Sequence, residues 1–442
     1  MPQSKFECAH GIKLVSILVG LILCLIPLSL SSQSKPASTP GAGSATSESA
    51  TSVPVPAVAP ATSRPIVVGY FRGDSMRRQF FLKDLISRGT ISVLDQINYS
   101  QANVKDGRCI IADPDADLNF TFSAENSVDG TADTPAMPLR GNFRQLQELK
   151  KFYPRLKVLI SLEGTPDVFV KAAQPDNRIA FVTSCVQQFI QGKIADSVTA
   201  AGLFDGFDID WEYPEEADKL NFVALLAEFR RQLNAIGPNY LLTVAMGTAR
   251  NTFQHLDMVQ VALYADEVGI MNYDYAGPWS KKTGLVAPLY HVAGDPEPDG
   301  DVDSTLQSYK QAGVPLSRML MGMPFYGYSW SQVAADAHGL FQLGEPVRAD
   351  ATYNLIASFA NKFTVYRDPK SQAPWLFDGT TFWTYDDELS VATKVKYAKD
   401  HGLLGIMIWE LSGDSADGKL LKAISVSLGR HEEPAGPIHA IP

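Results

Sequence analysis

Residues 204–214 read Phe-Asp-Gly-Phe-Asp-Ile-Asp-Trp-Glu-Tyr-Pro, and the fold turns on how that stretch is read. Asp208, Asp210 and Glu212 are spaced two apart, so in a β-strand all three point to one face, roughly 6 to 7 Å apart along the strand. Ile209 and Trp211 take the other face, and Asp205, of opposite parity to the acids, belongs to the start of the strand. Aligned carboxylates resist simultaneous ionisation and raise one another's pKa. An acidic edge strand would leave the row in water, but a solvated face does not carry Phe204, Phe207, Ile209 and Trp211 between its acids. A calcium loop also spaces acids by two; here Tyr213 stands where that loop needs glycine and Lys219 where it needs its closing glutamate. The remaining reading is an acid–base device at the carboxyl end of a buried strand. Crowding by Asp208 and Asp210 then holds a carboxyl group protonated near neutral pH.

On both sides of this stretch, short apolar runs alternate with helical patterns. Strands are expected at 66–71, 91–99, 157–162, 241–246, 267–273, 319–325 and 403–409, with the acid stretch as the fourth of eight. Helices are expected at 78–88, 142–152, 177–198, 386–400 and from Glu215 to about Ile236. In the third of these, Ile179, Phe181, Val182, Val186, Phe189 and Ile190 fall close to helical spacing. Pro214 stops the acid strand, and Glu215, Glu216 and Asp218 favour the start of the helix after it. Eight strands with helices between them predict an α/β fold, a closed (β/α)8 TIM barrel with its functional groups at the carboxyl ends of the strands. An open doubly wound sheet binding a dinucleotide would carry Gly-x-Gly-x-x-Gly after its first strand, and Gly69-Tyr70-Phe71-Arg72-Gly73 is not that turn.

Two segments exceed a single βα unit. Residues 101–140 form a long polar insertion rich in Asp, Asn and Gly. Between the seventh and eighth strands, residues 329–381 carry Trp330, Phe341, Tyr353, Phe359, Phe363, Tyr366, Trp375 and Phe377, enough aromatic volume for a small second core. They are read as an α+β insertion subdomain, the alternative being an over-long loop that the rings pack.

Composition narrows the partners. Lys and Arg total 38 against 48 Asp and Glu, a formal charge of −10, which argues against nucleic acid or an anionic membrane surface and suits a neutral or weakly cationic polymer. No Cys/His cluster has metal-ligand spacing, so no metal and no cofactor is expected. Nothing in the sequence brings Cys109 and Cys185 together, and they are read as unpaired thiols, the alternative being a pair formed in an oxidising compartment. Residues 14–30 are uncharged and follow Lys5 and Lys13, as in an export signal; Pro27, Ser29 and Ser31 resemble the approach to a cleavage site. Residues 1–31 are therefore expected to be a signal peptide, the alternative being a retained membrane anchor that tethers the protein through 14–30. Residues 32–64, rich in Ser, Ala, Thr and Pro, read as a disordered linker, 65–428 as the folded domain and 429–442 as a flexible tail. A secreted or envelope-bound monomer is the expected state.

With Tyr213-Pro214 after it, the row Asp205, Asp208, Asp210 and Glu212 resembles the Asp-x-x-Asp-x-Asp-x-Glu signature of glycoside hydrolase family 18, the chitinases and their relatives. Similar motifs recur over 66–428: Val-Val-Gly-Tyr-Phe at 67–71, Ile-Asn-Tyr at 97–99, Met-Asn-Tyr-Asp at 271–274, Gly-Met-Pro-Phe-Tyr-Gly at 322–327 and Gly-Ile-Met-Ile-Trp-Glu at 405–410. The insertion resembles that of the branch with deep, tunnel-like grooves. Two positions depart from the pattern. The third strand ends Ser161-Leu162-Glu163-Gly164 where Ser-x-Gly-Gly is usual, and Tyr328 stands where many relatives carry Arg.

The resemblance implies chitin or N-acetylglucosamine oligosaccharides as substrate and a retaining, substrate-assisted route through an oxazolinium intermediate. Glu212 would be the general acid, Asp210 the group that orients the acetamido N–H, and Asp208 its proton-sharing partner. Tyr273 would bind the acetamido oxygen and Asp274 hold the sugar; Trp409 would be the platform under the ring, with Tyr70, Met271 and Trp279 as walls. Alternatives within the family are an endo-β-N-acetylglucosaminidase or a cell-wall glycan hydrolase. A non-catalytic chitin-binding lectin is the alternative outside catalysis, although such relatives commonly replace the terminal acid and Glu212 is intact.

Overall fold

The computed structural model describes residues 64–195, 198–296 and 300–430. The leader, the linker before Arg64 and the tail beyond Arg430 lie outside the described residues.

Strands β1 (Ile66–Arg72), β2 (Gln96–Lys105), β3 (Lys157–Gly164), β4 (Gly206–Trp211), β5 (Leu241–Met246), β6 (Glu267–Ile270), β7 (Met319–Pro324) and β8 (Gly405–Trp409) pair in parallel, each with the next. β8 pairs with β1, so the sheet closes. Between the strands and after β8 lie α1 (Leu82–Ser87), α2 (Gly141–Phe152), α3 (Pro175–Cys185), α4 (Lys219–Ile236), α5 (Met258–Tyr264), α6 (Val302–Gln311), α7 (Glu388–His401) and α8 (Lys419–Ser427). This is the expected (β/α)8 barrel.

Alternation along β4 divides it as its spacing requires. Phe207, Ile209 and Trp211 pack outward: Trp211 stacks on Phe169 at 5.4 Å and meets Phe222 of α4 edge-on at 5.7 Å. Gly206, Asp208 and Asp210 face the barrel interior. A Cβ on Gly206 would lie 2.0 Å from the Leu241 carbonyl oxygen, so only glycine lets β5 approach there. α4 covers this side with Phe222, Leu225, Leu226, Phe229 and Leu233, the stripe expected of an amphipathic helix. Asp205 serves the start of the strand, taking the Val158 N–H at 2.9 Å and Lys150 Nζ at 2.7 Å.

Several boundaries moved. Ile91–Val93 is a 3₁₀ turn rather than strand, because the barrel register begins where Val68 pairs with Gln96. The helix expected over 177–198 ends as α3 at Cys185, followed by a π turn and, beyond Gly192, a hairpin of 193–195 with 198–199. Gly192 has φ +70, and a Cβ there would sit 2.1 Å from the Ala201 nitrogen. Residues 101–140 are not uniformly polar loop: β2 runs on to Lys105 and pairs antiparallel with Arg108–Ile111. The rest docks through buried polar groups. Asn142 donates to the Tyr99 hydroxyl at 2.9 Å, Tyr99 donates to Asp117, and Arg144 pairs with Asp129 at 2.7 Å and Asp133 at 3.0 Å.

The reading of Cys109 and Cys185 as free thiols is corrected: they form a disulfide, with Cα atoms 4.9 Å apart. The strand Arg108–Ile111 lies against α3, and the Cys109 N–H donates to Ser184 Oγ at 3.0 Å. A separation of 76 residues hid a contact that only the folded barrel creates.

The insertion is a five-stranded antiparallel sheet, in the order 345–352, 326–331, 382–384, 374–377, 364–367, with the helix Tyr353–Phe359. Its aromatics do not make a separate core. Trp330, Trp375, Phe377 and Phe382 share one cluster with Tyr70, Leu320 and Met407 of the barrel, while Tyr353 and Ile356 join the main core. The insertion begins at Tyr326, directly after β7, which leaves no linker over which a second core could detach.

Candidate active site

Asp208 is the deepest of the acid row and is saturated. Tyr70 Oη donates to its Oδ2 at 2.7 Å, Ser161 Oγ to the same oxygen at 2.9 Å, and Thr243 Oγ1 to Oδ1 at 2.5 Å. β1, β3 and β5 thus each send one hydroxyl inward to fix one carboxylate. Burial pushes Asp208 above the usual carboxylate range, opposed by those hydroxyls. Asp210 differs. It is 7 % exposed, and its Oδ1 finds no hydrogen-bond partner among the described residues. Burial, then the charges of Glu212, Glu163 and Asp208, push its pKa well up. Of the two aspartates, Asp210 is the one whose charged form no hydroxyl among the described residues stabilises.

Glu212 is reached by solvent through the cleft, while protein surrounds it enough that burial raises its pKa; the Tyr213 hydroxyl lowers it and the Asp274 charge raises it. Asp210 and Glu212 line both of two adjoining hollows. The first, about 540 Å³, is also lined by Tyr70, Met271, Tyr273, Asp274, Trp279 and Trp409. The second, about 570 Å³, is lined by Gln101, Asn103, Lys105, Glu163 and Thr165. Every residue singled out from the sequence therefore faces the first hollow except Asp208, which lies beneath it.

Within the first hollow, Trp409 is half-buried where β8 ends, its ring 5.3 Å from that of Tyr70. The expected sixth strand stops at Ile270, and Asp274, with φ 63, turns the chain so that its carboxylate accepts from Tyr326 Oη at 2.6 Å and Tyr328 Oη at 2.9 Å. Trp279 is 60 % exposed at the rim, edge-on to Tyr328 at 5.5 Å.

A family model described as glycosyl hydrolases family 18 matches residues 66–414. The chain belongs to this family. Chitinase C of Streptomyces lividans is 31% identical over 382 residues, covering 81% of this chain and 59% of that relative. Chitinase A1 of Niallia circulans is 32% identical over 346 residues, covering 71% and 47%. The chain thus spans between about half and three fifths of the length of these curated relatives. Among solved structures, the catalytic domain of a psychrophilic chitinase B from Arthrobacter TAD20 superposes with a TM-score of 0.76 at 32% identity, over 84% of this chain and 97% of that one.

The family 18 barrel also brings to the site residues that the sequence reading passed over. Arg72 lies two places after Tyr70 on β1, so strand parity already placed it at the mouth; its guanidinium holds Asp74 by two bonds of 2.9 Å. Arg78 reaches Glu410, the residue after Trp409, at 3.1 Å. Tyr326 and Tyr328, met in the sequence only within a motif and as a departure from one, share one face of the first insertion strand, and that alternation was the available signal of their joint role. Glu163, noted in sequence only as a departure, stands beside Asp210.

Proposed function

We propose that this chain is a chitinase-like hydrolase that cleaves β-1,4 linkages in polymers or oligomers of N-acetylglucosamine with retention, the substrate's own acetamido oxygen serving as nucleophile. The observation that carries this reading is the buried Oδ1 of Asp210, an acceptor with no donor among the described residues. Such an atom costs about 1–3 kcal/mol when left unsatisfied, and the acetamido N–H of a bound sugar supplies the donor. An amide held there turns its oxygen toward the anomeric carbon.

Glu212 stands on the boundary of the two hollows, with the reacting sugar in the first and the leaving sugar over the second. The acetamido oxygen attacks C1, the C1–O bond breaks, and the Glu212 proton passes to the departing oxygen. Asp210, next along the strand from the anchored Asp208, accepts the ring N–H and so stabilises the positive oxazolinium ring. Tyr273, buried beside it, binds the acetamido oxygen as it attacks. Glu212, now a carboxylate, takes a proton from water, which opens the ring from the opposite face and restores the β configuration. Trp409 forms the platform under the ring, Tyr70, Met271 and Trp279 the walls, and Asp274 meets the sugar hydroxyls. The Cys109–Cys185 bridge supports an oxidising, extracytoplasmic compartment, in accord with the export signal expected at 14–30.

Incubation with chitotetraose and, separately, a high-mannose glycan, followed by mass spectrometry, tests the substrate class. Shorter N-acetylglucosamine oligomers from the first and no cleavage of the second are expected. Early-time NMR of the products should show the β anomer; an α anomer formed first would remove the substrate-assisted route, and binding without cleavage would indicate the lectin.

A further inference from the structure

β3 ends Ser161-Leu162-Glu163-Gly164, and in the parallel register of β3 and β4 Glu163 stands directly across from Asp210. Paired residues on neighbouring strands project from the same face about 5 Å apart, so this carboxyl enters the barrel mouth beside the acid row. It lines the second hollow with Asp210 and Glu212, and Ser100 Oγ donates to its Oε1 at 2.5 Å. The charged groups around it are few. From β4 it faces Asp208, Asp210 and Glu212; from β1, Arg72, whose guanidinium is committed to Asp74. Lys105 of β2 lies farther out on the exposed wall, and Asp167, on the short helix after β3, is exposed and bonded to Thr165 at 2.5 Å. Three carboxyls thus line the second hollow, and among the described residues the one cation whose charge bears on Glu163 is Arg72, bonded to Asp74.

We propose that Glu163 is a positioning residue for the catalytic proton: once ionised, it holds the proton shared by Asp210 and Glu212 on that pair at a pH where the two alone would have released it. This deepens the reading of Glu212 as proton donor and rests on it. Burial pushes the Glu163 carboxyl up to about 7, against the Ser100 bond, so its charge develops across the neutral range. Below that range it is neutral and does nothing to its neighbours. Above it, a unit charge at strand-pair distance in an effective dielectric near 20 raises a neighbouring pKa by roughly one unit or more. The glycine usual at this position has no such charge.

The test is the pH dependence of kcat/KM for chitotetraose in wild type and Glu163→Gln, since the amide keeps the side chain's shape and its acceptor for Ser100 but cannot ionise. The basic limb is expected to move about one unit lower in the variant, so that the ratio of variant to wild-type rate falls steadily between pH 5.5 and 8. Parallel profiles offset by one constant factor, or a basic limb moved upward, overturn the proposal and leave Glu163 a structural group. A carboxyl-carbon NMR titration of the Asp210–Glu212 pair in both proteins reads the same shift without substrate. If wild type fails to cleave chitotetraose, the proposed function fails, and the titration still decides Glu163: a pair that titrates identically in both proteins sinks it.

Discussion

At the scale of single residues, the acids of β4 are separated by what each touches. Asp208 is held by three hydroxyls, Asp210 has a bare buried oxygen, and Glu212 opens to the cleft. Glu212→Gln removes the transferable proton and keeps the shape, so it should fold normally and lose about two to four orders of magnitude in kcat, the usual worth of general acid–base catalysis. Retention of a tenth of the wild-type rate would refute the role. Glu267 offers a stability counterpart away from the mouth. It is buried inside the barrel, accepts from Gln96 Nε2 at 3.1 Å, and is pushed by burial, then by the Asp266 charge, up to about 8. The folded chain therefore binds a proton that the unfolded chain releases above its ordinary carboxylate value. The resulting stability is fully present below that value and is lost as pH rises toward 8. Glu267→Gln, neutral throughout, should melt near the wild-type temperature at pH 4 and several degrees higher at pH 8, a gain on the order of 4 kcal/mol. An offset independent of pH in thermal melts would contradict this. The acid row was legible because strand parity and bracketing aromatics are local facts. The anchoring of Asp208 was not, since Tyr70, Ser161 and Thr243 lie on three other strands.

At the scale of elements, the sequence pattern located every barrel strand, because buried β-branched and apolar runs bounded by Gly or Pro are a short-range signal. It failed where tertiary contacts cut an element short. Phe189 and Ile190 kept helical spacing past the end of α3, yet Gly192 and the hairpin behind it end the helix. The same blindness hid the disulfide, which joins the end of α3 to the strand Arg108–Ile111 and closes a loop spanning 76 positions. In the chain-entropy account a closure of that length is worth about 4 kcal/mol. Replacing both Cys109 and Cys185 by Ser should lower the unfolding free energy by about 2–5 kcal/mol in guanidinium titrations, and wild type treated with reductant should approach the variant. Coincident midpoints with and without reductant would show that the bridge does not restrain the unfolded chain. Asp210 lies on β4 and Glu212 directly after it, outside the two bridged elements, so the variant at moderate temperature should keep its activity while losing its margin against denaturant.

At the scale of the whole molecule, the barrel and its insertion are one packed body. The inserted sheet was legible as aromatic density over 329–381, but the partners of those rings were not, because a composition count does not say which face a ring meets. Tyr328 and Tyr326 of the insertion hold Asp274 of the barrel, and Trp330 and Phe382 share a cluster with Tyr70 and Met407. A buried ion pair strengthens the same seam. Lys394 of α7 pairs with Asp386, which follows the last insertion strand; both side chains are 1 % exposed, and Ser390 Oγ donates to Asp386 at 2.7 Å. Lys394→Met leaves that carboxylate buried without its counter-charge, a loss of about 3–5 kcal/mol, whereas Lys394→Met combined with Asp386→Leu should recover most of it. If the seam is continuous, calorimetry of the single variant shows one transition displaced as a whole to lower temperature. A trace that splits, with a minor early peak for the inserted sheet and an unmoved main peak for the barrel, would mean that the shared cluster does not couple them, and that Asp274 is held by a part of the protein able to let go of it.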